Sequence, residues 1–169
     1  MKKILSLIIV VVVLSAMTLT AFAEVEYMAH EVKITVNGTQ HTVLGYNVPG
    51  SQNGVKIRTI AAILNGTSKQ FNVTFNDGVV NIIPGEGYTQ LGAEFETYTG
   101  NEPGGIYSTH IFKVNGEYAG IEATLASDYN YLPLENFIYS ILGSVVINYD
   151  ESGNVIIDTE AELSDEDWG

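Results

Sequence analysis

The chain has no cysteine, only seven Lys and Arg against twenty Asp and Glu, four prolines, three histidines and a single tryptophan. Each scarcity removes a class of function. Without cysteine there are no disulfides, no thiolate metal sites, no cysteine nucleophile and no lipid-modified cysteine. With so few bases the chain cannot neutralise a phosphate backbone, so nucleic acid is excluded as a partner. His30, His41 and His110 stand too far apart for the short ligand spacings that helices and hairpins use, and they give no expectation of a metal site. No Gly-x-Ser-x-Gly elbow is present. These residues point to no catalytic set, no cofactor and no metal, and the expectation is a protein that is not an enzyme.

Long apolar runs are missing after residue 23. The one long run, Ile4 to Leu14, follows Lys2 and Lys3 and precedes Ala21-Phe22-Ala23, which is the pattern of a cleaved export signal. Its apolar part is short of the roughly 20 residues that span a bilayer. Residues 1–23 are therefore read as a signal peptide, and the mature chain as secreted, off the membrane and without a covalent anchor to the cell wall. Loss of Lys2 and Lys3 leaves five bases against twenty acids, a formal charge of −15. Residues 160–169 read as a solvated acidic tail. About 146 residues suffice for one medium core or two small ones.

What the sequence does contain is a repeat. VNGTQHTVLGYNV (36–48), VKIRTIAAILNG (55–66) and FNVTFNDGVVNII (71–83) return in weaker form. The counterparts are VNGEYAGIEATL (114–125), LPLENFIYSILG (132–143) and VVINYDESGNVIID (145–158). Each copy opens with alternating apolar residues and an Asn-Gly turn, at Asn37-Gly38 and Asn115-Gly116, which predicts a hairpin. The returning strands are expected at Thr42 to Tyr46 and Tyr118 to Leu125.

Ile57, Ile60, Ala61 and Leu64 then fall at helical spacing, as do Leu134, Phe137, Ile138 and Ile141. An amphipathic helix of about three turns is expected in each copy, with Lys56, Arg58 and Ala62 turned away from the core. A second hairpin follows, around Asn76-Asp77-Gly78 and around Asp150 to Gly153. The Asp150–Asn154 cluster of oxygen ligands reads more simply as that turn than as a calcium loop. Between the copies lies a Gly/Pro-rich stretch, within which Leu91, Phe95 and Tyr98 suggest a further strand and residues 100–105 a hinge.

Val36-Asn37-Gly38, Gly45-Tyr46-Asn47, the Ile57, Arg58, Ile60, Ala61, Leu64, Asn65, Gly66 helix and Lys69-Gln70-Phe71 together resemble the stalk domain family named for the N-terminal domain of copper amine oxidases. Tyr88-Thr89-Gln90-Leu91-Gly92 is similar to the segment that follows in that family, and Leu132-Pro133-Leu134 to its helix start. Glu135 replaces the helix arginine in the second copy, and Thr59 stands where the family often carries an acid. The resemblance implies an α+β fold of two tandem small modules, each an antiparallel sheet curled against one short helix. It implies modules at 24–99 and 106–159 and no catalytic residue, since the matching motif contains none.

The expected function is that of a secreted, non-catalytic structural or protein-interaction element at the bacterial cell envelope. The alternative is a module that binds carbohydrate or peptidoglycan, with cell-wall glycan as partner instead of another envelope protein. Aromatic faces serve both. With Phe71, Phe75, Phe137 and Tyr149 assigned to the core, Tyr88, Tyr98, Tyr107, Tyr129 and Tyr131 are the residues expected to form a glycan or partner surface.

Overall fold

The computed structural model describes residues 26–143 and 145–161. The signal peptide expected at 1–23 and residues 162–169 of the expected acidic tail lie outside the described residues. The architecture is α+β and dominated by sheet. In chain order the strands of the first copy are β1 (Ala29–Val36), β2 (Thr39–Val48), β3 (Ser51–Lys56), β4 (Phe71–Asn76) and β5 (Val79–Pro84), with α1 (Ile57–Leu64) between β3 and β4. Then come β6 (Ile106–Tyr107), β7 (Ile111–Val114), β8 (Glu117–Ala119), β9 (Thr124–Ala126) and β10 (Tyr129–Pro133). Helix α2 (Leu134–Phe137) continues as a π-helical stretch over Ile138–Leu142, and β11 (Val146–Tyr149) and β12 (Val155–Asp158) close the chain.

The hairpin turns form where local chemistry demands them. Asn37 and Gly38, Asp77 and Gly78, and Asn115 and Gly116 all have positive φ, the conformation that a two-residue turn with the strands' own twist requires. A further turn was not legible. Ser127 (φ 48) and Asp128 (φ 66) join β9 to β10 with no glycine or asparagine to mark it. The expected single strand from Tyr118 to Leu125 is two short ones, separated at Gly120–Ala123, because β8 pairs back on β7 while β9 pairs with β10.

The strands do not sort by copy. One sheet runs β11-β12-β1-β2-β3-β10-β9-β6 and the other β4-β5-β7-β8, so both contain strands from both copies. Each copy's opening strand lies parallel to the other copy's closing strand. Ile34 pairs with Val155 and Val36 with Ile157 in one seam, and Phe112 with Val80 and Val114 with Ile82 in the other. The registers are equivalent, because Phe112 lies 78 residues after Ile34 as Val114 does after Val36, and Val155 lies 75 after Val80 as Ile157 does after Ile82. Matching turn bonds extend both seams: Asn37 N–H donates to the Ile157 carbonyl and Asn115 N–H to that of Ile82, each at 3.0 Å. Two modules with a sheet apiece, divided at 100–105, are thus not what the strand pairing gives. An opening hairpin has a free outer edge, and the partner it takes is the other copy's.

The main core likewise draws on both copies, from Val32, Ile34 and Ile60 to Phe137, Ile138 and Val155. A smaller cluster of Leu44, Tyr46, Val48, Ala126 and Tyr131 lies apart from it. Helix α1 departs from the expected one-sided burial: every residue but Arg58 is buried, and Lys56 just before it is only 2% exposed. The cause is a second layer. Residues 88–96 cross the helix face turned away from the sheet, held by donation from Thr59 and Lys56 and by the Tyr88 N–H donating to Asn65 Oδ1. Both helices are shorter than three α-helical turns. The expected strand through Leu91, Phe95 and Tyr98 is absent among the described residues, and all three side chains are exposed. The hinge stretch is tied down, with Gly105 bridged to Tyr27 and the Tyr46 hydroxyl donating to the Pro103 carbonyl at 2.8 Å.

Candidate functional site

In the first copy the space between β2 and α1 is filled by residues 93–96. Lys56 Nζ donates to the Ala93 carbonyl and to Glu96 Oε2, both at 2.8 Å, with its charge 3.8 Å from the centre of the Tyr129 ring. The Thr59 hydroxyl donates to the Glu94 carbonyl, Leu44 N–H donates to that of Glu96 at 2.6 Å, and Phe95 stacks on His41 with ring centres 5.8 Å apart. Thr59 thus holds the filling segment through its hydroxyl.

The Glu94 carboxylate is turned inward. Burial opposes its charge, but N–H groups of Leu91 and Gly92 and the Tyr88 hydroxyl donate to it and hold its pKa at about 2. Burial, followed by that same carboxylate, pushes the Tyr88 phenol up. Here the polar groups satisfy one another, as buried polar groups must.

The corresponding space in the second copy is an open groove of about 360 Å³. Ala119–Glu122 form one wall, and Asn136, Phe137, Ser140 and Ile141 of the second helix the other. These positions correspond to His41–Leu44 and to Thr59, Ile60, Ile63 and Leu64. Pro133 occupies the place of Lys56.

Beside the groove, Glu135 gathers a polar and aromatic cluster. Its carboxylate accepts from Asn53 Nδ2, from Ser51 Oγ at 3.4 Å and from the Tyr149 hydroxyl at 3.2 Å. Tyr149 is 56% exposed and Tyr139, which lies near Tyr149, 45%. Partial burial and then the Glu135 charge raise the Tyr149 phenol. A carboxylate bonded to an exposed tyrosine, with a second exposed tyrosine nearby, is a combination suited to sugar hydroxyls and ring faces.

The expected surface tyrosines separate into two sets. Tyr98 and Tyr107 are exposed, at 42% and 50%. Tyr88 and Tyr131 are not surface residues, being buried at 6% and 1%. Tyr88 reaches inward to Glu94, and Tyr131 packs at a tilt against Tyr46 with centres 4.5 Å apart in the smaller core. Tyr129 is half-buried beneath Lys56. In the opposite direction, Phe75 and Tyr149 were expected in the core and are exposed, because each lies at the turn end of a hairpin beyond the packed layer.

His110 meets Asn130 at 3.1 Å, Ser108 donates to Asn130 at 2.6 Å, and Phe75 packs on the His110 ring. This triangle bonds to itself inside the fold. Asp150 accepts from Ser152 and Asn154, which closes the β11–β12 turn around its carboxylate. Among the described residues no group of three or more His, Asp or Glu is placed to hold a metal. No described helix is long and apolar enough to cross a membrane. Comparison with protein-family models, with curated proteins and with solved structures finds no match.

Proposed function

We propose that this chain is a secreted, non-catalytic element of the stalk type, acting in a structural or protein-interaction role at the bacterial envelope. The observation that carries the reading is the pair of reciprocal seams, which join the opening strand of each copy to the closing strand of the other in equivalent register. Such interlocking makes a rigid spacer. Its buried polar side chains, Lys56, Glu94 and Asn130 among them, are engaged in holding the chain together. The copies agree in their core spacing and differ at the surface, most visibly where Arg58 of one answers to Glu135 of the other. Residues 1–23 address the chain for export.

A second reading, carbohydrate binding, is favoured by the Glu135 cluster with exposed Tyr139 and Tyr149, together with Tyr98 and Tyr107. Sedimentation of purified mature protein with isolated cell wall separates the two. Under the first reading the protein stays in the supernatant. Retention that disappears in Tyr139→Ala/Tyr149→Ala or in Tyr98→Ala/Tyr107→Ala selects the second. Turnover of any substrate, abolished by one point substitution, overturns both.

A further inference from the structure

The strand pairing does not account for one difference between the copies: the space between opening hairpin and helix is filled in the first and open in the second. What fills it in the first is main chain. Thr59, Leu44 and Lys56 hold the filler by donating to the carbonyls of Glu94, Glu96 and Ala93, while the exposed Phe95 ring lies on His41. We propose that the open groove takes the same kind of occupant from another protein: an extended segment bearing lysine or arginine, bound through its carbonyls. The proposal deepens the protein-interaction role given above and rests on it.

Three observations lead there. Donors are the first. Asn136 of the groove stands at the Thr59 position, and the Glu122 N–H at that of Leu44. Asn136 is exposed, and the Glu122 N–H makes no backbone hydrogen bond among the described residues. The neighbouring Ile121 N–H is not on offer, since it bonds back to the Ala119 carbonyl at 2.9 Å. Main-chain bonds of this kind give a bound peptide its affinity, and its side chains give the specificity.

Charge is the second. In the first copy the wall supplies a base and the filler an acid, with Lys56 Nζ 2.8 Å from Glu96. In the second copy Pro133 replaces that lysine and Glu122 replaces Leu44, so the lining carries one charge and it is negative. The pair is reversed, and its complement is a base on the occupant. The chain's excess of acids favours the approach of a cationic segment. Residues 160–169 contain neither Lys nor Arg, so this chain's own tail does not match.

Shape is the third. A Cβ added at Gly120 would meet nothing within 4 Å, and Phe137 and Ile141 give the helix wall an apolar surface. Alternate side chains of an extended segment point opposite ways. One can therefore lie on that apolar surface while the next reaches Glu122.

The measurement is the amide spectrum of isotope-labelled mature protein during titration with a blocked Val-Lys-Val-Lys peptide. Expected are saturable shifts at Gly120, Ile121, Glu122 and the Asn136 side-chain amide. Glu122→Lys should weaken binding about fivefold, and Ser140→Trp, which obstructs the groove from the helix side, should abolish it. Both positions are exposed, so melting should be unchanged. Absence of saturable shifts at these groups overturns the proposal, as does binding that survives both variants. Equal binding of Val-Glu-Val-Glu, or of a diamine that has the charges without carbonyls, overturns it too. The same shifts on adding an N-acetylglucosamine tetramer, or on raising protein concentration without peptide, would give the groove to a glycan or to a second copy and overturn it likewise. None of these outcomes alters the wall-sedimentation result, so failure of the groove's role and failure of the envelope reading are told apart.

Discussion

Val55 of β3 lies opposite Leu132 of β10, and both side chains are fully shielded from solvent. They are equivalent positions of the two copies, 77 residues apart, so the pair marks the axis about which the copies exchange strands. On either side of it Lys56 faces Tyr131 and Gly54 faces Pro133. A shared core around such an axis has a mechanical consequence: neither copy can lose its packing without exposing the other's.

The first prediction follows from that axis. Val55→Asp and Leu132→Asp should each abolish the folded state of the whole chain, as should Ile60→Asp and Phe137→Asp in the same core. An unpaired buried charge costs several kcal/mol, which is comparable with the roughly 5–15 kcal/mol that holds a domain together. Circular dichroism on heating is the check. A variant that loses about half of its signal while the remainder melts as in the parent would show that the copies fold separately.

A second prediction concerns acid. Glu94 has a pKa of about 2 in the fold against 4.5 as its reference value, because donated hydrogen bonds from Leu91, Tyr88 and Gly92 outweigh the effect of burial. A group whose folded pKa is depressed adds stability that is present above its unfolded pKa and is lost as pH falls toward the folded one. Glu94→Gln should therefore be less stable than the parent at neutral pH, by about 1–3 kcal/mol for the weakened acceptor. The difference should narrow between about pH 5 and pH 2. Denaturant midpoints measured across that range decide it, and a difference independent of pH would mean that Glu94 is not charged in the fold.

The third prediction uses the turn that the sequence concealed. Ser127 and Asp128 both hold the left-handed conformation, which costs a residue with a Cβ roughly 1 kcal/mol. Replacing the pair with Asn-Gly should raise stability by about 0.5–1 kcal/mol, the gain being reduced by the greater freedom of glycine in the unfolded chain. A melting temperature that falls would indicate that Asp128 makes a contact worth more than the turn strain.

Where a local rule operates, the sequence was legible. Asn37-Gly38 and Asn115-Gly116 form their turns, and the apolar spacing of Ile57 to Leu64 and of Leu134 to Ile138 marks the buried faces of two helices. Strand partners are a different matter. The alternation at Val32, Ile34 and Val36 says that one face is buried, but the outer edge of β1 would be satisfied by any strand, and only the assembled core selects β12. Tyrosine exposure was illegible for a related reason. Its ring favours burial and its hydroxyl accepts either water or a buried partner, so Tyr88 with Glu94 and Tyr107 in solvent look alike in sequence. The Glu135 cluster had one visible signal, the break in the repeat at that position. Its partners Ser51 and Asn53 come from the other copy, beyond the reach of local pattern.

The last prediction concerns close approach of backbone. Gly54 pairs with Tyr46 across β2 and β3 and with Pro133 across β3 and β10, next to the register shift between Tyr46 and Val48. A Cβ at Gly54 would collide with Val48 Cγ1 and with the Tyr46 carbonyl oxygen, and the second of these is main chain that cannot rotate away. Relief would require β2 and β3 to separate at the irregularity, which opens hydrogen bonds beside the Val55–Leu132 pair. Gly54→Ala should therefore cost about 2–4 kcal/mol, within the range of overpacked cores and larger than its single methyl suggests. Gly120→Ala, where an added Cβ meets nothing within 4 Å, is the matched control and should leave the denaturant midpoint unchanged. Equal midpoints for the two variants would show that β2 and β3 yield at the bulge without loss, and that the strand crossing at the axis is softer than its packing implies.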